Sequence, residues 1–553
     1  LRFTSSAALF ALPAFAFGMT AGANAAIPER TEIAAPTRLS ADLHDLGRAN
    51  PATPMTVTLM LGYRHPDELE ALVEAQADPS SPAYRHFLTR SQFDAYFSPT
   101  AADYARAEAA LGAGGFRITA ATPNRLMIHA AATVGTVERF FSTRMERVRQ
   151  SDGSVRLVNA AAATAPAGLR GLAVGVAGLD GVTRMHTDLE RGPHGGMNPN
   201  LNYPGVLFGP DGGYGPVAYS KAYGMPVDQT TGKGESVGVV IDADYLDSDL
   251  KTFLKYFGIA RTGPRTTRVL VDGGPPPGIT PDSGETSLDV ETIVGIAPAV
   301  TLYVYEFPSF SDDQFILDAY ERVVTDDQVG PVNSSFGGCE QPDSSLSQMA
   351  DAIALQGSAL GITFHASSGD GGAYACSSVG VSAPASNPHF VAVGGTSLYL
   401  NPTSEKLEHE FAWSGSGGGV STIFPEPKYQ SKITTAIKSG RNVPDVAFDA
   451  DPSTGSSWYV GGAFVGPVGG TSLASPIFGA GLALANSLNG SHTGFVNPAI
   501  YKLFLTEGNS SGGKVLFRDI TDGSNGFYSA GPGYDDVTGL GALNFTNTSS
   551  TLK

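Results

Sequence analysis

Short, continuous apolar runs alternating with helical stretches constrain this chain most. Residues 236–241 read SVGVVI and end at Asp242, and 301–305 and 363–365 open similar runs with helical segments between them. A strand apolar on both faces is covered on both faces, the pattern of a parallel sheet flanked by helices. The expected fold is therefore α/β with a mostly parallel sheet, and functional residues are expected at the C-terminal ends of its strands. Residues 27–186 carry a different pattern: strands at 57–61 and 125–129 alternate with helices at 66–76, 101–111 and 134–141, which suggests a small α+β unit. Between the two, 187–216 is dense in Gly, Pro and Asn and reads as an exposed linker open to proteolysis.

The first 26 residues read as a secretory signal peptide: one early arginine, an apolar run over 7–17, and a small-residue end at Ala23-Asn24-Ala25. The mature chain is thus expected to be secreted. No later run approaches the roughly 18 apolar residues of a membrane span, so stable membrane association is not expected. Asp and Glu number 53 against 35 Lys and Arg, a net charge of −18, which repels nucleic acid and anionic lipid. The chain has two cysteines, Cys339 and Cys376, which either form one disulfide or remain two buried thiols.

The stretch 469–476, GGTSLASP, leads into a small and apolar run at 477–485 that reads as a buried helix. Ser472 then stands in the first helical turn, where free N–H groups and the helix dipole favour developing negative charge. It is a candidate nucleophile; a helix-capping serine behind a glycine turn is the alternative. A nucleophilic serine needs a base, and none of the ten histidines opens a helix in the H-G-T-H manner. Instead 284–298, GETSLDVETIVGIAP, carries Glu285 and Asp289 at i and i+4, on one face of a helix. Such a pair is commonly solvated, but Ile293, Val294 and Ile296 mark this helix as buried. A third carboxylate, Asp370, is flanked by glycine in ASSGDGG at 366–372, either over a strand end or in a plain turn. Near the C-terminus, Asp519 and Asp535 bracket a glycine-rich loop whose hard oxygen ligands suit Ca²⁺, or which is an ordinary acidic loop.

Together these segments resemble the sedolisin family of serine-carboxyl peptidases. The motifs are G-G-T-S-L-A-S-P around Ser472, E-T-S-L-D from Glu285 to Asp289, and S-G-D-G-G around Asp370. YGPVAYSKAYGMP at 214–226, SSFGG at 334–338, WSGSGGGVS at 413–421 and VPDVAFDADPSTG at 443–455 extend the match, and SPAYRHFLTRSQF at 81–93 and TPNRLMIHA at 122–130 look like the accompanying propeptide. The resemblance implies a subtilisin-like sheet preceded by an α+β activation propeptide at 27–186, a processing linker at 187–216, and a catalytic domain at 217–553 with a calcium loop at about 515–540. It implies Ser472 as nucleophile, Glu285 as general base, Asp289 orienting it, and Asp370 as oxyanion donor. One structural Ca²⁺ would be held by the Asp519 and Asp535 side chains and the carbonyls of Ile520, Gly531 and Gly533. An extended peptide would lie along Ser335, Phe336, Gly337, Gly417 and Gly418. The partners so implied are peptide or protein substrates and the chain's own propeptide as inhibitor, with a monomer expected.

With the roles the resemblance implies, acid operation is expected. A glutamate with a reference pKa of about 4.3 is still a base where a histidine near about 6.5 is protonated, and Asp370 can donate only as the neutral acid. Two departures touch the outer network: Phe336 stands where many relatives have tryptophan, and Asp242 where some carry glutamate. A Cys339–Cys376 bridge would brace loops beside the site. A non-catalytic peptide-binding relative and a serine esterase or acyltransferase are the other function classes.

Overall fold

The computed structural model describes residues 30–39, 43–151, 153–182, 185–192, 207–340, 345–376 and 378–549. The signal-peptide reading of 1–26 and the middle of the 187–216 stretch lie outside them.

The N-terminal unit is built on a four-stranded antiparallel sheet in the order Arg117–Ala121, Met127–Thr133, Pro54–Leu61, Ala173–Ala177. Arg125 adopts a left-handed turn conformation, φ 63°, so the strand expected at 125–129 begins only at Met127. Side chains alternate across a strand, and both faces here are apolar. Val57, Leu59, Leu61, Ile128 and Ala130 face the unit's own helices through Leu111, Val137 and Phe141. Met60, Met127 and Ala177 face the other way, into a core shared with Ile316, Leu346, Met349 and Ile353 of the C-terminal unit. The small unit therefore completes its own burial by docking. Polar contacts fix that dock: Thr58 Oγ1 donates to Gln314 Oε1 (2.7 Å), Tyr63 Oη to the Ala352 carbonyl (2.9 Å) and Ser345 Oγ to the Val176 carbonyl (2.8 Å).

The C-terminal unit carries the parallel sheet. Its strands run Thr267–Leu270, Thr301–Glu306, Ser236–Ile241, Pro331–Ser334, Thr363–Ser367, Phe390–Leu400, all parallel, and Val446–Asp449 joins Phe390–Leu400 in parallel too. Leu407–Ala412 adds an antiparallel strand at one edge. The helices Asp313–Asp326 and Ser345–Leu360 cover one face; Ser283–Ile296 and Thr471–Asn489 pack against each other on the opposite one. This is the subtilisin-like α/β arrangement expected from the continuous apolar strands. Among the described residues no helix is long and apolar enough to cross a membrane.

The stretch expected as an exposed linker, 187–216, is exposed at Glu190 and Arg191 but buried at Asp188 and again from Leu207. His186–Thr187 and Glu190–Arg191 pair with strands of the C-terminal unit, and Asp188 is buried between them. At the other end Leu207, Phe208 and Tyr214 enter the core, because three large apolar side chains outweigh the loop-forming glycines around them.

Candidate active site

The helix Thr471–Asn489 opens directly after Gly470, whose φ of 94° is a conformation other residues enter at a cost. Ser472 lies in its first turn as expected, fully buried in this state. Pro476 has no N–H to return to the Ser472 carbonyl four residues back. That carbonyl instead faces the Ser335 hydroxyl at 3.3 Å, and Ser472 Oγ donates to the Ser335 carbonyl at 3.2 Å. His365 packs under the same helix, but its Nδ1 meets Ser475 Oγ at 2.9 Å and burial holds its pKa down to about 3, so it supplies Ser472 with no base.

Glu285 and Asp289 sit on the helix Ser283–Ile296, which is buried along its whole length. The solvated-pair reading of their spacing is thereby excluded. Burial first, and then the neighbouring Asp289 charge, push the Glu285 pKa well up; the Ser472 hydroxyl acts in the opposite direction. Asp289 Oδ1 accepts from Ser335 Oγ at 2.6 Å, and Asn333 Nδ2 donates to that same hydroxyl at 2.9 Å. Burial raises Asp289 to about 8, with the Ser335 and Asn333 hydrogen bonds pulling it back. Asp370 is held from the nucleophile helix: Thr471 N and Oγ1 donate to its Oδ1 at 2.7 and 2.8 Å, while Thr471 Oγ1 also receives Gly369 N at 3.0 Å. Burial and then the Asp188 charge push Asp370 well above the usual carboxylate range. A serine and three buried carboxyl groups thus converge from the two helices and the loop after Thr363–Ser367.

The proposed substrate edges fare differently. Phe336 and Gly337 present their backbone to Thr187 and His186 in antiparallel pairing, while the Phe336 ring turns into the core beside Phe310 and Tyr320. A tryptophan indole N–H would therefore point away from the paired peptide here. Ser335 has a second role not legible in its motif, since its hydroxyl joins Asp289 to the Ser472 backbone. Gly417 and Gly418, expected beside substrate, pack on one side against the Asp370 loop and the calcium-loop candidate: Gly417 N donates to the Gly369 carbonyl at 2.8 Å, and a Cβ on Gly418 would meet the Asp536 carbonyl at 2.0 Å. Cys339 and Cys376 form a disulfide, which ties the end of the Phe336–Cys339 strand to the loop after Asp370. Asp242 is buried at its strand end with Oδ1 lacking a hydrogen-bond partner, and burial followed by the Asp282 charge raises it to about 7.

Thr471, Asn333 and Trp458 also belong to the site, beyond the candidate residues. Trp458 Nε1 donates to the Gly284 carbonyl at 3.1 Å, and its ring lies 5.2 Å under the Arg191 guanidinium. Only Thr471 carried a local signal, its place beside Ser472.

In the C-terminal loop, Asp519 accepts the Gly533 N–H at 3.1–3.2 Å, and Asp535 accepts Gly531 N–H at 3.0 Å and Thr538 N–H at 2.8 Å. The two carboxylates and the glycine backbone are thus gathered into one loop, with Ile520 buried beside it. Among the described residues no cluster of three or more His, Cys, Asp or Glu could hold a metal, so an ion here would draw most of its ligands from backbone carbonyls. That all-oxygen donor set fits a hard cation.

Residues 41–182 match the family model described as Pro-kumamolisin, activation domain, and 278–507 match the subtilase family. The chain is 30% identical to sedolisin of Pseudomonas sp. (strain 101) over 527 residues, covering 90% of this chain and 87% of the relative. It is 31% identical to kumamolisin of Bacillus sp. (strain MN-32) over 522 residues, with 88% and 90% covered. A solved structure of Pseudomonas sedolisin, a serine-carboxyl proteinase complexed with two molecules of pseudo-iodotyrostatin, superposes with a TM-score of 0.55 at 30% identity, covering 61% of this chain and 97% of that one.

Proposed function

Since the chain belongs to the sedolisin family of serine-carboxyl peptidases, with an activation domain ahead of the peptidase unit, we propose that it is a secreted, acid-active endopeptidase working through an acyl-enzyme on Ser472. Glu285 takes the Ser472 proton as the hydroxyl attacks the substrate carbonyl, and returns it to the leaving amine. Asp289, held by Ser335, orients Glu285. The oxyanion is met by the Ser472 N–H and by Asp370 as the neutral acid. In this reading 1–26 is the signal peptide, 27–186 the propeptide, and the catalytic unit starts at 207, inside the former linker.

The observation that carries the proposal is the set of buried carboxyl groups around a serine whose hydroxyl has no histidine partner among the described residues. The sign of the pH dependence follows. Asp370 donates only below its raised pKa, so oxyanion stabilisation is lost as pH rises through it, whereas Glu285 accepts a proton only above its own, so the rate falls off on both sides. Departure of Asp188 from the cleft removes one of the charges that raise Glu285 and lets its base form persist further into acid. Casein hydrolysis by acid-treated protein, followed from about pH 2 to 8, is expected to peak in acid and vanish towards neutral pH. Protein freed of residues 27–186 yet inactive throughout would favour a peptide-binding relative instead.

The Asp519 and Asp535 carboxylates with the Ile520, Gly531 and Gly533 carbonyls would hold one Ca²⁺, which there would fix the loop and take no chemical step. An ion present at 100 times its Kd adds about 2.7 kcal/mol to stability. Chelation is expected to lower Tm by several degrees, and Asp519→Asn with Asp535→Asn to abolish that response; a Tm indifferent to chelator removes the site.

A further inference from the structure

Residues 186–191 cross the cleft as a bound peptide does. His186 and Thr187 pair with Gly337 and Phe336, Glu190 and Arg191 pair with Gly469 and Val468, and Asp188 and Leu189 span the gap between the two edges. The Asp188 carbonyl accepts the Ser472 N–H at 3.2 Å, and Asp188 N donates to the Ser335 carbonyl at 3.4 Å. A Cβ on Gly470 would stand 2.0 Å from the Asp188 carbonyl oxygen and 2.5 Å from Asp370 Oδ2, so both atoms lie against the same bare glycine. Asp370 Oδ2 is buried without a hydrogen-bond partner. The Asp188–Leu189 peptide bond is thus the one presented to Ser472.

What the Asp188 side chain meets identifies the pocket. It is 1% exposed, and its Oδ2 accepts from Ser367 Oγ at 2.7 Å. Ser367 Oγ lies 3.4 Å from the Ser334 carbonyl, and a Cβ on Gly337 would stand 3.4 Å from Oδ2, so the pocket is short and its wall offers a hydroxyl. His186 Nδ1, 3.6 Å from Oδ1, belongs to the crossing segment itself and is largely exposed. The other charges acting here are Glu190 on the same segment and Glu285 and Asp370 opposite. A pocket with a neutral donor, facing carboxyl groups, suits an acid in its protonated form. Burial, the largest influence, raises Asp188 to about 6, so it enters acid conditions uncharged.

Resting on the peptidase reading above, we propose that the Ser367 pocket selects a short carboxyl or carboxamide side chain, Asp or Asn, on the acyl side of the cut bond, and that the first bond cut is the chain's own Asp188–Leu189. Ser472 Oγ leaves the Ser335 carbonyl, bonds to the Asp188 carbonyl carbon and gives its proton to Glu285. The C–N bond breaks, the proton passes to the Leu189 amine, and water then hydrolyses the ester, freeing the Asp188 carboxyl and restoring the Ser472 hydroxyl. Ser367 is the specificity-determining residue.

The full chain incubated in acid is expected to yield Leu189 as its first new N-terminus by N-terminal sequencing and intact mass. Asp188→Asn keeps that cut and Asp188→Lys loses it. The processed enzyme, assayed on peptides differing only at that position, is expected to prefer Asp or Asn over Leu, Phe and Lys by at least about tenfold in kcat/KM, and Ser367→Ala to shrink the Asp-to-Leu ratio about tenfold. Peptide cleavage with a first cut elsewhere, or with a preference for bulky apolar or basic residues, overturns this inference and leaves the peptidase reading standing. No cleavage of any peptide at any pH overturns both.

Discussion

Replacing Ser472 by alanine is expected to lower kcat/KM on peptide substrates by about 10⁴–10⁶-fold, with Glu285→Gln close behind and the double variant little worse than either. The two groups act in one proton transfer, so removing the second has little left to remove. Glu285→Gln tests the base directly, because the amide has nearly the same shape in a site that is fully buried. The measurement is steady-state hydrolysis of a peptide at the acid optimum, with intact mass to trap an acyl-enzyme in wild type. Activity that survives Glu285→Gln while Ser472→Ala is dead would assign the base elsewhere, and activity that survives both would end the acyl-enzyme reading. The same pair separates an esterase from a peptidase when ester and amide substrates are run side by side.

The second large effect is on stability. Arg441 and Asp445 are both completely buried, and the guanidinium grips the carboxylate with both terminal nitrogens, at 2.8 Å to Oδ1 and 2.5 Å to Oδ2. The carboxylate also accepts Tyr501 Oη at 2.8 Å, Ala392 N at 2.8 Å and Asn497 Nδ2 at 3.2 Å, so one side chain ties a central strand to two distant segments. Removing one partner leaves the other charge buried and uncompensated. Asp445→Ala is expected to cost about 3–5 kcal/mol, whereas Arg441→Met combined with Asp445→Leu recovers part of that loss. Urea unfolding midpoints at constant m decide it. A single variant within 1 kcal/mol of wild type would mean that the charge gains water on substitution.

Several elements were legible because their signal is local. The strand Ser236–Ile241 and the helix opening at Thr471 were read from continuous apolar runs and a glycine turn, and both stand at those positions. Glu285 and Asp289 were read as a same-face pair on a buried helix, and the structure brings them beside Ser472. From Leu207 on, the linker expectation gives way because glycine and proline content reports backbone propensity, while Leu207, Phe208 and Tyr214 report burial. At Gly417 and Gly418 a glycine-rich run suits a substrate edge and a close-packed loop equally well, and the packing on Gly369 and Asp536 comes only from the fold.

The α/β class, most element positions and the nucleophile and carboxyl candidates are readable along the chain, since periodicity, capping and motif spacing act within a few residues. What those groups meet depends on contacts far apart in the chain. Ser335 reaches Asp289 across 46 positions, Ser367 reaches Asp188 across 179, and the N-terminal sheet hides its second apolar face on helices some 250 residues further along. Such contacts arise when separate apolar faces are buried against one another, and that closure, not any local preference, sets which polar groups are shut out of water together and how far their pKa values move.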